Sequence, residues 1–485
     1  MKRSISTVAR ILLAMLCIAI VLQCAQKAKE IPITTSSEEA LSLFLEGQRL
    51  SENANFSEAR EVLKKALEKD PDFAMAHFYL AYASETNSDF FQQMEKSASL
   101  VDHVSEGEKL FILASHATSL GNNIKANEML ERLATLYPSD KTVYNQIGIN
   151  YWTQNNLEKS VEAYKTAIKI DPEYPSPYNM IGYAYSNLGK YDEAEKALKT
   201  YAQLIPNEPN PWDSYGEILM KQGKFDKSIV AYQKAIDLDP HFVIAYRGLC
   251  MNHVFKDQAN EGRKQLVKLE ELAQTDGDRY TALHTEALTY LCEGKYKAAL
   301  SAKEKCIAVD EKQNDSLGKT NDLINIGTLY LFIGKVDQAE KFFDKAKKVI
   351  VNSDHSKDLK DEMLQNILFY RVEVALQKKD METAKDKAAQ YKKLTDENQN
   401  RTEIQAASRL MGMIALHEKR YDDAIAAFEQ TNEQNPRNFC GMAKAYMGKK
   451  DKAKANEYWE KAANFNDMSW NYALIRAKAM KMASK

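Results

Sequence analysis

Prolines mark out the length of this chain at a fixed interval. Pro138, Pro172, Pro206 and Pro240 stand 34 residues apart, and Pro71 lies 67 residues before Pro138, close to two further periods. Gly148, Gly182 and Gly216 keep the same interval, as do Gly189 and Gly223, the small residues Ser160, Ala194 and Ser228, and the bulky Tyr164, Leu198 and Tyr232. A repeat of this length holds two helices and their turns, and one such unit cannot bury its apolar face alone, so copies must stack. An all-α solenoid is the expected fold. Low glycine and proline, 18 and 11 in 485 residues, points away from a turn-rich β fold in the same way.

Counting units from residues 141, 175 and 209, each recurring residue type has a physical reason. Gly at position 8 lacks the side chain that would keep the first helix from its partner, and Ala194, at position 20, is expected to supply the matching small surface. Tyr144, Tyr178 and Trp212 share a face with Tyr151, Tyr185 and Leu219 and are expected to fill the space between the two helices. The proline at position 32 has no amide to donate, so it ends the second helix.

Segments such as "YNQIGINYWTQNNLEKSVEAYKTAIKIDP" and "YNMIGYAYSNLGKYDEAEKALKTYAQLIP" resemble the tetratricopeptide repeat (TPR) family. The resemblance implies about twelve hairpins in a right-handed superhelix, with the first helix of each lining a concave surface that binds proteins. On this basis 38–276 is expected to be a regular array, opening on a capping box of Ser36 and Glu39. Residues 277–464 are expected to be a TPR-like array with longer connectors, since Gly294, Gly334, Lys379 and Lys419 step by 40 to 45 residues. The surplus is assigned to the polar stretches 311–319, 352–361 and 395–401. Residues 465–485 are expected to cap the stack with the face of Tyr472, Ile475, Ala479 and Met482, leaving Arg476, Lys478, Lys481 and Lys485 as a solvated surface.

The amino terminus is read as separate from the fold. Lys2, Arg3 and Arg10 precede an apolar run, Ile11 to Leu22, too short to span a bilayer comfortably. Residues 1–23 are therefore expected to be a signal peptide. Val21-Leu22-Gln23-Cys24 resembles the lipobox of bacterial lipoproteins, with Gln23 where a small residue is usual; the resemblance implies lipidation at Cys24, and Ala25 implies sorting to the outer membrane. Residues 24–37 are expected to be a flexible tether. The alternative is an uncleaved anchor that leaves the array in the cytoplasm as a signalling adaptor, which the positive charges before the apolar run oppose.

Little in the chain suggests catalysis. The formal charge of −2, from 66 Lys and Arg against 68 Asp and Glu, argues against nucleic-acid binding, and loss of residues 1–23 makes it −5. No metal-binding, phosphate-cradling or nucleophile-elbow motif is present, so no cofactor or metal is expected. Cys250, Cys292, Cys306 and Cys440 are expected to be buried thiols, and Asp276-Gly277-Asp278 a turn. What remains is the concave groove. At 100° per residue, positions 2, 5, 9 and 12 oppose the packing stripe, and they select Asn145, Trp152, Asn179, Tyr183, Asp213, Glu217 and Arg247 as groove residues for an extended peptide, unless Asp213 simply pairs with Arg247. Chaperone-docking repeats of the family clamp a terminal carboxylate with Lys, Asn and Arg at places held here by Asn145, Ile149, Met180, Asn210 and Ser214. The clamp is missing, and Asp213 and Glu217 favour a neutral or basic ligand. The expected function is a non-enzymatic envelope scaffold serving outer-membrane assembly, secretion or polysaccharide export.

Overall fold

The computed structural model describes residues 30–398, 400–431 and 435–484. Among these residues the chain forms helices and no strand. Hairpins 1 to 4 are α1 (Glu38–Glu52) with α2 (Phe56–Lys69), α3 (Ala74–Tyr82) with α4 (Asn87–Ser99), α5 (Glu106–Ser119) with α6 (Asn123–Leu136), and α7 (Lys141–Thr153) with α8 (Leu157–Ile170). Hairpins 5 to 8 are α9 (Pro175–Asn187) with α10 (Tyr191–Leu204), α11 (Asn210–Lys221) with α12 (Phe225–Leu238), α13 (Val243–Phe255) with α14 (Ala259–Leu272), and α15 (Asp276–Cys292) with α16 (Tyr296–Gln313). Hairpins 9 to 12 are α17 (Ser316–Phe332) with α18 (Val336–Val351), α19 (Lys357–Gln377) with α20 (Met381–Asn398), α21 (Arg401–His417) with α22 (Tyr421–Phe428), and α23 (Pro436–Gly448) with α24 (Lys452–Ala463). A final helix, α25, spans Trp470–Ala483.

The repeating residues act where the sequence places them, with one change of partner. Pro71, Pro138, Pro172, Pro206 and Pro240 each fall two residues past the end of a second helix, where a residue without an amide stops the ladder. A Cβ on Gly148 would stand 2.3 Å from the Tyr164 ring, and one on Gly182 2.7 Å from Leu198. The glycine therefore makes room chiefly for the bulky residue sixteen positions later. The position-20 residue serves differently, since Ser160 and Ser228 donate their hydroxyls to the carbonyls of Gly148 and Gly216 at 2.8 and 2.6 Å. The aromatic stripe is also shallower than expected. Tyr151, Tyr185 and Trp212 are half-buried, with Lys159, Lys165 and Lys234 over their rings.

The longer period of the second half arises in the helices, not in the connectors. Helices α15 to α21 run 16 to 21 residues, against 12 to 14 for α5 to α14. The stretch 311–319 is almost wholly helical, broken only at 314–315. Gly327 and Gly412 still face Phe343 and Phe428, again sixteen residues on. Spacing across the turn is unchanged, so the added turns sit at the open ends of the hairpins, where they extend the packed face without disturbing the tight contact. Asp276-Gly277-Asp278 likewise is the first turn of α15, capped by Thr275 and Asp278.

Contacts distant in sequence bring the superhelix round upon itself. Ser88, in hairpin 2, donates to Asp315 Oδ1 at 2.7 Å at the start of hairpin 9. Thr402 of hairpin 11 donates to the Thr153 carbonyl of hairpin 4 at 3.0 Å. Hairpins seven places apart thus meet, which sets about one superhelical turn.

Both ends of the array depart from expectation. The described part of the tether, 30–37, is bonded along the first hairpins: Ile31 donates its amide to Asp140, Thr34 to Glu108, and Ser36 to Asp70, at 2.8–2.9 Å. The first N-cap is Ser37, which accepts from Ala40, rather than Ser36. Helix α25 seals more than an end. It packs on α24 and also on α15, with Trp470, Tyr472, Leu474, Ile475 and Ala479 all buried. Arg476, expected in solvent, is buried and donates to the Phe255 carbonyl at 3.2 Å. Lys481 is exposed, and Lys485 lies outside the described residues.

Gly148→Ala is expected to lower stability by about 1–3 kcal/mol, because the new methyl must displace the fully buried Tyr164 ring. Denaturant unfolding followed by circular dichroism measures it; an unchanged midpoint would show that this contact is slack.

Candidate functional site

The first helices of hairpins 4 to 7 carry a ladder of polar side chains at position 5: Asn145, Asn179, Asp213 and Arg247. All four are half-buried. The Oδ1 atoms of Asn145 and Asn179 and the Nε of Arg247 are buried without a hydrogen-bond partner among the described residues. An unmatched buried polar atom costs about 1–3 kcal/mol, so a ladder of them gains from any partner that supplies the missing bonds. At its last rung the ladder has one: Arg247 Nη2 donates to the main-chain carbonyl of Met468 at 3.0 Å. Met468 belongs to the irregular segment 465–469 that leads into α25.

The other groove residues frame this ladder. Trp152 packs with Ile149 and Met180 against Val161, Tyr164 and Ile181. The Tyr183 hydroxyl donates to Glu217 Oε2 at 3.1 Å, and Lys221 lies 3.3 Å from Glu217 Oε1 and 5.8 Å above the Tyr183 ring. Burial, and then the neighbouring Glu217 charge, push the Asp213 carboxyl up to about 8, against the opposing pull of Arg247. Among the described residues no ion pair joins Asp213 to Arg247. A cleft of about 810 Å³ opens beside this face, between the turns of hairpins 4 to 6 and hairpins 11 and 12.

Several groups inside the superhelix were not singled out by sequence. Lys303 and Asp322 form a fully buried ion pair; the Tyr280 hydroxyl donates to Asp322 at 2.9 Å, and the Lys303 ammonium lies 3.0 Å from His284 Nδ1. Burial, and then the Lys303 charge, hold His284 well below its ordinary range, which keeps the imidazole neutral. Trp470 of α25 lies over Lys303 and donates to Thr328 at 3.0 Å, so this network fastens the last helix. Farther along, Glu373 accepts from Arg409 at 3.1 Å and Arg437 at 2.8 Å. Burial raises Glu373, but the two guanidinium charges outweigh it and hold the carboxylate ionised. Tyr280, His284 and Lys303 belong to hairpin 8 and Asp322 to hairpin 9, while Glu373, Arg409 and Arg437 belong to hairpins 10, 11 and 12, so the 34-residue period does not mark them.

Cys250, Cys292, Cys306 and Cys440 are buried free thiols. Among the described residues, no group of three His, Cys, Asp or Glu side chains stands close enough to share a metal, and no helix is long and apolar enough to cross a membrane. Residues 1–23, expected from sequence to be a signal peptide, and Cys24 lie outside the described residues.

Comparison with known families agrees with the hairpin geometry. A model of the TPR repeat matches residues 148–189 and 216–249, and models of the tetratricopeptide repeat match 44–90, 175–208 and 323–349. No curated protein matches. Among solved structures, a tetratricopeptide repeat protein from Parabacteroides merdae ATCC 43184 is 14% identical, over 59% of this chain and 99% of that one, with a TM-score of 0.37. MamA from Desulfovibrio magneticus RS-1 is 20% identical, over 35% and 95%, with a TM-score of 0.30. YrrB, described as a TPR protein with an unusual peptide-binding site, is 18% identical, over 38% and 92%, with a TM-score of 0.26. Twelve stacked hairpins make this chain an all-α solenoid, and the matched stretches within it are tetratricopeptide repeats.

Proposed function

We propose that this chain is a non-enzymatic scaffold of the cell envelope that holds an extended segment of a partner protein on the concave face of hairpins 4 to 6. The contact between Arg247 and the Met468 carbonyl carries the proposal, since a position-5 side chain there already grips irregular main chain. Asn145 and Asn179 repeat that position with unmatched amide oxygens that rotation of the side chain can turn toward a peptide. Trp152 and Tyr183 add rigid contact area beside them. The repeat type supports protein binding in general, and Glu217, beside an Asp213 that can donate a hydrogen bond while neutral, suits a neutral or basic ligand.

Envelope placement rests on the amino-terminal sequence alone: a charged start, a short apolar run and Cys24 in a lipobox-like setting. Acylation at Cys24 would anchor the array to the periplasmic face of the outer membrane. Outer-membrane assembly, secretion and polysaccharide export are the processes such a scaffold fits.

Replacing Trp152, Asn179 and Tyr183 together by Ala is expected to abolish partner capture in envelope crosslinking while helicity is retained; capture at the wild-type level would move the binding face elsewhere. Mass spectrometry of the purified protein is expected to find an acylated Cys24 as first residue, and an intact Met1 would defeat the envelope assignment. Asp213 has a pH signature of its own. Its carboxyl stays neutral to about 8 when folded but ionises from 3.8 when unfolded, so stability falls as pH rises across that window. Asp213→Asn should therefore stabilise increasingly from pH 4 to pH 8, by about 1–3 kcal/mol at the upper end; a pH-independent effect would mean the carboxylate is ionised throughout.

A further inference from the structure

A second compartment lies apart from the ladder, between hairpins 9 to 12 and α25 and open to solvent at one side, with a volume of about 240 Å³. Much of its wall is apolar, including Leu376, Met413, Phe428 and Ile475. Set into that wall are four cations, Arg409, Arg437, Lys444 and Lys478, and Glu373 is the one carboxylate among its lining residues. Glu373 engages both arginines. Lys444 and Lys478, from α23 and α25, have no carboxylate partner among the described residues. Both are exposed to water. Burial first, then Lys478 and Arg437, hold the Lys444 ammonium below its ordinary range, so the cations work against one another.

Two hydrogen-bond donors of the lining are also unused. Arg437 Nη1 and the indole N–H of Trp459 are buried without an acceptor, and Trp459 is only 3% exposed. Lys444 and Lys478 are solvated, but the two idle donors are buried at a cost, and an anion that accepts from them would sit in a lining that also holds four cations. The same composition, an apolar wall with a few convergent polar groups, is that of a small-molecule site.

We propose that this chamber binds a small amphiphilic carboxylate, its head taken by Arg437, Lys444, Lys478 and the Trp459 indole N–H and its apolar body by the wall around Leu376, Met413 and Ile475. The site is independent of the peptide ladder and stands or falls without it.

Calorimetric titration of the full chain with octanoate, octanamide and inorganic phosphate tests the proposal. Octanoate should bind with a Kd below about 1 mM, and octanamide and phosphate about tenfold or more weaker, since one lacks the charge and the other the apolar body. Lys444→Met with Lys478→Met should weaken octanoate about tenfold with helicity unchanged, because neither lysine takes part in the Glu373 bridge. Should that pair perturb folding, Trp459→Phe removes the indole N–H together with one ring of the side chain and should weaken octanoate several-fold with helicity unchanged. Absence of octanoate binding, equal binding of octanamide or phosphate, or full affinity in a folded variant would each overturn the site.

Discussion

A glycine facing a ring or a leucine sixteen residues later holds six of these hairpins closed. Gly148 with Tyr164, Gly182 with Leu198, Gly327 with Phe343 and Gly412 with Phe428 repeat one contact along the chain, in units of quite different length. A solenoid has no single core, so its stability is the sum of hairpin contacts and the interfaces between neighbours. Because the tight contact spans the turn, a hairpin can gain helical turns at its open end and still stack. The second half of the molecule does this, which accounts for its stretched period.

Closure of the superhelix is the second determinant. Hairpins seven places apart touch, and α25 is drawn into the interior against α15, where its aromatic and aliphatic side chains are buried on most sides. That insertion divides one continuous concave face into parts. Over hairpins 4 and 5 the amide oxygens of Asn145 and Asn179 have no partner among the described residues, while at Arg247 the chain's own Met468 carbonyl takes the place of a ligand. Beyond it, α25 contributes Lys478 and Ile475 to the lining of the chamber. Buried networks hold the arrangement in register: Lys303 with Asp322 beneath Trp470, and Glu373 between Arg409 and Arg437. Such pairs contribute little net stability, but breaking one leaves an uncompensated charge, so they resist any other packing.

The fold was legible wherever the cause was local. Prolines two residues past a helix end, glycines at the close approach and the count of twelve hairpins all follow from interactions inside one unit or between adjacent units. The groove ladder was partly legible, since helical angle alone puts Asn145, Asn179, Asp213 and Arg247 on one line. Its occupancy was not. Nothing in the composition of 465–469 says that this segment reaches Arg247, more than two hundred residues earlier. The docking of residues 30–37 on Asp70, Glu108 and Asp140 escaped for the same reason, because a short polar segment has no periodic signal.

By itself the sequence determined the architecture: a period of 34, with its prolines, glycines and bulky partners, admits stacked α-hairpins and little else, because the forces that make a hairpin act over a few turns of helix. Only the tertiary structure decided which stretch of the concave wall stays open, which is filled from within, and where four cations gather around one carboxylate. Those outcomes depend on how far the superhelix winds before it meets itself. Small rotations at each interface add up over twelve units, and no single unit encodes their sum.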